Sequence, residues 1–172
     1  MNMWKDKMKQ TMLGLSCIAL FACASHRDGA LASNLPNSFE RVSFEHIESD
    51  PTAERVATLL YRQKIQNDRF RENVVPGIKA IFAPLDPESP RRFILAYTED
   101  CAAAGCSILI YENFDGNRWR EVQEVVAHDI WINLTGNSIP RDIATMTRFD
   151  NPDEDASIQS WNSNTNKYEF TE

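Results

Sequence analysis

The amino-acid sequence predicts an α+β fold in which one N-terminal helix packs on a twisted antiparallel β-sheet, with one disulfide. Three observations lead to this fold class. A capped segment whose apolar residues repeat at helical spacing begins at Pro51. Short strand-like segments, separated by turn-forming residues, follow it to the end of the chain. Cys101 and Cys106 lie between two of these segments and are close enough in sequence to pair.

The first 32 residues have the organisation of a secretory signal. A basic start contains Lys5, Lys7 and Lys9, and residues 11–24 form an apolar stretch without charge. This stretch is shorter than the ~20 residues that a stable transmembrane helix needs. We therefore expect export to the periplasm or cell envelope, with residues 33–50 as a polar lead-in and residues 51–172 as a single domain.

Three cleavage positions remain open. The segment from Leu20 to Cys23 resembles the lipobox of bacterial lipoproteins, in which the cysteine becomes the lipidated first residue, although Phe21 is larger than the residue usual there. Ordinary small-x-small sites end at Ala24 and at Ala32. If Cys23 is lipidated, we expect the protein to be anchored to the outer membrane, and no other membrane contact is predicted.

The charge of the chain excludes some partners. It has 18 basic and 25 acidic residues, a net charge of −7. Residues 1–32 hold four basic and two acidic groups, so the remainder has 14 basic and 23 acidic groups and a net charge of −9. Such a chain is repelled by nucleic acid and by anionic surfaces. We therefore predict no nucleic-acid partner, and any protein partner is expected to be basic.

A helix is predicted from residue 51 to about residue 70. Asp50 can cap it, and Pro51 suits the first helical position. The apolar residues of this segment repeat at helical spacing: Ala53, Val56, Ala57, Leu60, Tyr61 and Ile65. Another face carries Arg55, Arg62 and Arg69, seven residues apart. This row is either a basic groove or, in the interpretation we favour, a solvated face.

Eight strands are predicted after the helix, at residues 78–83, 92–98, 107–112, 118–126, 130–134, 142–147, 157–161 and 167–171. Asp115-Gly116 indicates a hairpin with a type I′ turn. Residues 107–111 are apolar on both faces, which is typical of a central strand. We expect the helix to cover one face of it and the curled sheet or the lead-in to cover the other.

Cys101 and Cys106 are the only cysteines that certainly remain after signal removal. They enclose four residues, whereas thioredoxin-like redox sites enclose two and open a helix. A zinc site would need two further ligands. In an oxidising compartment these cysteines are expected to form a structural disulfide. No metal and no cofactor is predicted. Asn151, Asp153 and Asp155 alternate as in a calcium loop, but the Gly and Glu that such a loop requires are replaced by Ala156 and Asn162.

The cysteine turn and four later features occur in a recognisable order: Trp119, the Pro140-Arg141-Asp142 segment, Trp161 and Tyr168. In this order they resemble a pattern in small exported bacterial proteins of largely unassigned function. Those proteins have a Cys-Gly-x-x-Gly-Cys turn, an apolar strand, a Trp, a Gly-x-Pro-Asp segment, and a closing Trp and Tyr. This chain departs from the pattern at Ala102, where Gly is usual, and at Arg141, which separates Pro140 from Asp142. The resemblance implies export, the disulfide and the sheet, and it implies no mechanism.

No catalytic signature stands out in the sequence. It has no Gly-x-Ser-x-Gly, no His-Glu-x-x-His and no phosphate-binding glycine loop. We therefore predict a non-enzymatic envelope protein that binds another protein, as an inhibitor or as immunity against a toxin. The alternative is a secreted hydrolase that uses His128 with a carboxylate such as Asp129 or Asp142.

Trp131 is the main candidate for a binding anchor. It alternates with Ile130 and Ile132 and so lies on the opposite face of its strand. If that face is open to solvent, the ring can concentrate binding energy, because exposed Trp residues often dominate interfaces. The other candidate binding residues lie just before its strand and at the start of the next: His128, Asp129, Arg141 and Asp142.

Overall fold

The fold is described by a computed structural model, which covers residues 35–42, 48–68, 74–102, 105–116, 118–146 and 156–171. In these ranges the chain forms one helix and nine strands. In chain order they are β1 (Phe39–Val42), α1 (Pro51–Asn67), β2 (Ile78–Ala83), β3 (Arg92–Thr98), β4 (Cys106–Asn113), β5 (Trp119–Ala127), β6 (Asp129–Asn133), β7 (Ile143–Met146), β8 (Ser157–Asn162) and β9 (Lys167–Phe170).

The strands form two antiparallel sheets, so the prediction of a single sheet under the helix is corrected. One sheet has the order β2-β3-β4-β5, and the other has the order β1-β6-β7-β8-β9. The chain passes from the first sheet to the second between β5 and β6, where His128 is the only intervening residue. Neither Gly nor Pro marks this corner, which is why the sequence pattern did not reveal it. The coarser prediction, a helix with antiparallel strands and one disulfide, is confirmed.

The main core lies between the two sheets. Leu95, Ile108 and Ile110 of the four-stranded sheet pack in one buried cluster with Ile130 and Ile143 of the five-stranded sheet. Leu109 and Tyr111, the alternate residues of β4, belong to a second cluster under α1. β4 is therefore a central strand that is apolar on both faces, as predicted. Helix α1 covers one of these faces, and the five-stranded sheet covers the other.

Helix α1 begins as predicted. Oδ1 of Asp50 accepts hydrogen bonds from the backbone N–H groups of Thr52 and Ala53 at 2.8 and 2.9 Å, which satisfies two donors that a helix start leaves open. The helix ends at Asn67, with Asp68 as its C-cap, and residue 70 lies outside the described residues. Its buried stripe packs on the outer face of the four-stranded sheet: Ala53, Ala57, Tyr61 and Ile65.

The hairpin between β4 and β5 differs from the predicted type I′ turn. Five residues connect the strands, because Asn113 pairs with Trp119, and only Gly116 of the pair Asp115-Gly116 has a positive φ. Oδ1 of Asn113 accepts from the N–H of Gly116 at 2.6 Å, and Oδ1 of Asp115 accepts from the N–H of Arg118 at 2.7 Å. Such side-chain hydrogen bonds to nearby backbone favour a longer loop over a two-residue turn.

No helix in the described ranges is both long and apolar enough to cross a membrane.

Candidate functional site

Trp131 is buried, so the condition for its role as a binding anchor, an open face, is not met. The residue is 6 % exposed and belongs to a small cluster on the outer face of the five-stranded sheet, with Ala144, Met146 and Ala156. Leu35 and Phe39 pack against this cluster from the N-terminal segment. Trp131 does lie opposite Ile130 and Ile132, as its alternation predicts, but the lead-in covers that side too.

The pair His128-Asp129 is not arranged as an acid–base pair with a free carboxylate. Oδ1 of buried Asp129 accepts hydrogen bonds from Nε and Nη2 of Arg41 at 2.9 and 2.5 Å. Asp142 lies at the far end of the β6–β7 ladder, where its carbonyl accepts from the N–H of Asn133. From Asp129 to Asn133 the strand advances four residue steps, a distance of about 13 Å. Nothing in this geometry favours the hydrolase alternative.

Arg141 joins two segments of the chain instead of presenting a free cation. Its backbone N–H donates to the carbonyl of Leu85 at 2.7 Å, and its Nη1 donates to the carbonyl of Pro84 at 3.1 Å. Its own carbonyl accepts from the hydroxyl of Tyr168 at 2.9 Å. These bonds hold the β2–β3 connection against the start of β7.

Several residues that carry the sequence resemblance meet beside Arg141. The ring of Trp161 makes edge contacts with the rings of Phe93 and Tyr168 at centroid distances of 6.0 and 5.3 Å. Burial raises the pKa of the Tyr168 hydroxyl, and the negative charge of Asp142 raises it further. These contacts fill space between the sheets, so Trp161 and Tyr168 serve packing in this chain.

The predicted disulfide between Cys101 and Cys106 is present. It closes the turn between β3 and β4, where Ala102 and Gly105 exchange backbone hydrogen bonds at 2.8 and 3.0 Å. The candidate lipidation site Cys23 and the acidic segment 150–155 lie outside the described residues. In the described part of the chain, no group of three or more His, Cys, Asp or Glu residues could hold a metal ion.

An open groove of about 570 Å³ runs between α1 and the β4–β5 hairpin. We call it the helix–hairpin groove. One wall belongs to the helix and is mainly apolar: Val56, Leu59, Leu60 and Gln63. The other wall belongs to the hairpin and the start of β5: Phe114, Arg118, Trp119 and Arg120. Leu59 is 52 % exposed and Phe114 is 39 % exposed, so apolar surface on both walls faces solvent.

The hairpin wall is stiffened by aromatic and cationic contacts. The guanidinium groups of Arg118 and Arg120 lie 4.9 and 5.0 Å from the centroid of the Phe114 ring. Trp119 is held by a tilted contact with Phe82, 6.4 Å between ring centroids. Cations that lie over an aromatic ring are attracted to its face. The side chains of this wall are therefore held mainly by contacts with one another and with Phe82.

The groove continues along α1 toward its C-terminal end. There Lys64 forms ion pairs with Glu121 and Glu124 of β5, each 2.7 Å between nitrogen and oxygen. Tyr111 and Asn67 line this narrower part. The Tyr111 hydroxyl is buried and has no hydrogen-bond partner among the described residues. Burial raises its pKa, with the charge of Glu121 as a smaller cause.

Sequence reasoning did not identify the helix–hairpin groove. Trp119 lies on a predicted strand and Phe114 in the predicted turn before it, and neither position marks a binding residue in the sequence. The available signal was Leu59, an apolar residue outside the buried stripe that lies on the same helix side as Arg55 and Arg62. That signal points to a site only when the hairpin is known to stand beside the helix.

Comparison of this chain with protein-family models, with curated proteins and with solved structures finds no match.

Proposed function

We propose that this chain is a non-enzymatic protein-binding domain, inhibitor-like or immunity-like, and that it binds its partner through the helix–hairpin groove. The observation that carries this proposal is the exposed apolar surface of Leu59 and Phe114 on facing walls. Apolar surface that faces solvent across a groove is typical of a binding site. Trp119, Arg118 and Arg120 complete the groove with the residue types that most often dominate interfaces.

We further propose that the domain works in the cell envelope. The basic and apolar order of residues 1–32 supports export, and the Cys101–Cys106 disulfide is consistent with an oxidising compartment. A net charge of −9 after signal removal would steer encounter with a basic partner over distances of about 10 Å.

Affinity capture from the native envelope tests the binding site. The purified protein should retain a partner that Leu59→Glu loses, because a buried carboxylate would face the partner's apolar surface. Phe170→Glu is the matched control, since Phe170 is exposed on the other sheet. Both variants should keep the wild-type melting temperature. The proposal is wrong if Leu59→Glu captures the same partner as strongly as wild type.

A second experiment tests the envelope location and its anchor. If Cys23 is lipidated, the protein should incorporate a fatty-acid label and sediment with membranes, and Cys23→Ser should abolish both. A soluble periplasmic protein whose sequence begins at Ser33 would instead establish ordinary cleavage after Ala32. Recovery of the unprocessed chain in the cytoplasm would contradict export.

A further inference from the structure

Two arginines on α1, next to the groove residue Leu59, make no ion pair with the residues that the structure describes. Arg55 and Arg62 are exposed on α1 and lie seven residues, about two helical turns, apart. Leu59 lies between them along the helix. Neither arginine forms an ion pair in the part of the chain that the structure describes. Residues three, four and seven apart share one side of a helix, so both guanidinium groups flank the exposed Leu59 side chain.

The cations that line the groove are paired. Arg120 donates to Glu112 with Nη2 and Oε2 2.6 Å apart, and Arg118 pairs with Asp115. Lys64, in the narrower part, sits between Glu121 and Glu124, which leaves one carboxylate in excess there. Arg55 and Arg62 do not line the groove, but they lie next to Leu59 on the helix and make no ion pair with the described residues.

We propose that the helix–hairpin groove binds an acidic, apolar peptide segment of a partner protein, with apolar side chains against Leu59 and Trp119 and carboxylates facing Arg55 and Arg62. This inference rests on the proposed function and names the chemistry of the docking segment. Carboxylates pair well with the planar fork of arginine. Two arginines beside Leu59 also disfavour a basic segment, which would meet like charge.

The acidic segment is opposite in sign to the partner that the net charge favours, and the two charges act at different stages of binding. Net charge steers whole molecules during encounter, whereas the two arginines act on the side chains that they contact once the segment has docked. A basic partner that carries one acidic, apolar segment satisfies both.

The test is a selection of peptides by the purified protein. A displayed library of random 12-residue peptides is enriched on wild type and depleted on Arg55→Gln/Arg62→Gln. The control is Lys79→Gln/Lys167→Gln, which removes the same charge from other surfaces. The enriched peptides should be negatively charged and contain Leu, Phe or Trp. They should bind the arginine variant about tenfold more weakly and the lysine control as tightly as wild type.

A spectroscopic readout locates the peptide. Titration of an enriched peptide should change the tryptophan emission of wild type, and Trp119→Phe should remove that change. Binding to wild type should weaken as salt rises, while binding to the arginine variant should depend less on salt.

Enrichment of neutral or basic peptides, or equal binding to the arginine variant, would overturn the inference. Arginine-dependent sedimentation with phosphatidylglycerol vesicles would overturn it in favour of a membrane surface. A dimer that Leu59→Glu dissociates would overturn it in favour of a second copy. If envelope capture depends on Leu59 but the enriched peptides are not acidic, the proposed function stands and this inference fails. If no envelope protein is captured through Leu59, the proposed function fails, and this inference, which rests on it, fails with it whatever peptides are enriched.

Discussion

Trp131 shows how one residue links the N-terminal segment to the five-stranded sheet. Its ring lies on the outer face of the sheet, and Leu35 and Phe39 pack against its cluster. β1 pairs with β6 directly beside it, with Arg41 opposite Trp131. Arg41 also holds Asp129, whose carboxylate would otherwise be buried without a counter-charge. A few contacts at this point therefore decide whether the lead-in belongs to the domain.

Replacing Trp131 by Ala should lower the free energy of unfolding by about 3–5 kcal/mol, because a large buried side chain leaves a cavity. Urea denaturation followed by circular dichroism measures this change. Phe170→Ala is the control and should stay within about 0.5 kcal/mol of wild type, since an exposed ring buries little on folding. An unchanged midpoint for Trp131→Ala would show that its ring contributes nothing to the core.

For a single residue, the sequence predicts the face of the strand on which its side chain lies. It does not predict which other residues cover that face. The alternation in β6 correctly places Trp131 opposite Ile130 and Ile132. Its burial depends on Phe39, which lies almost a hundred residues earlier in the chain and shows no pattern connecting it to β6. The same holds for Asp129, which appeared free to assist His128 because its partner Arg41 is equally remote.

The turn between β3 and β4 depends on one glycine. Gly105 has φ of +121°, and a Cβ atom built on it would lie 2.4 Å from the carbonyl carbon of Ala127. The other position at which the resembling proteins have Gly is Ala102, and among the described residues the only non-glycine with positive φ is Asn166. Alanine is therefore acceptable at position 102, whereas position 105 requires glycine for both conformation and space.

Two matched substitutions separate these effects. Gly116→Ala should cost about 1 kcal/mol of stability, because Gly116 has a positive φ but nothing within 4 Å of the added methyl group. Gly105→Ala should cost at least about 3 kcal/mol, because backbone contact adds to the conformational strain. Thermal and urea unfolding of both variants measure the difference. Equal losses would mean that the close approach of Ala127 to Gly105 carries no energy.

Among the elements, the sequence predicts strand positions well and pairing poorly. The strands at 78–83 and 92–98 have the predicted bounds, since turn-forming residues mark their ends. β1 is not predicted because its four residues show no alternation of apolar and polar side chains. It is a strand because it pairs with the distant β6. The β4–β5 turn was misassigned because Asn113 and Asp115 use their side chains to extend it.

Two of the buried clusters in the molecule contain a tyrosine whose hydroxyl pKa is raised. Tyr111 lies between α1 and the four-stranded sheet, and Tyr168 lies between the two sheets. Burial is the main cause that raises the pKa of both hydroxyl groups. The folded protein therefore keeps both neutral at a pH at which the unfolded chain, with a tyrosine pKa near 10, releases their protons.

Stability should be independent of these tyrosines below about pH 10 and should fall above it. A raised folded pKa means that the folded state binds more protons there, so each tyrosine lowers the free energy of unfolding by up to roughly 1.4 kcal/mol per pH unit. Urea denaturation between pH 8 and 11.5 measures the slope. Tyr168→Phe and Tyr111→Phe should each remove part of it. A slope that persists unchanged in the double variant would exclude both residues as its source.

The division into two sheets and the helix–hairpin groove are the features of the whole that the sequence does not predict. The corner at His128 joins two strands through a single residue that carries no turn signal. The groove arises because α1 and the β4–β5 hairpin stand side by side, although the sequence predicts both elements. Both features are relations between elements, and local periodicity contains no information about such relations.

The connection of the five-stranded sheet has a consequence for the order in which the protein folds. The strands β2 to β5 form successive hairpins, and so do β6 to β9, so each group can close soon after it is synthesised. β1 is synthesised first, yet its partner β6 follows the whole of the four-stranded sheet. Distant pairing must overcome a larger entropy of loop closure. We therefore expect the N-terminal strand to be the last to dock, which leaves Trp131 uncovered until then and makes its fluorescence a reporter of the final step.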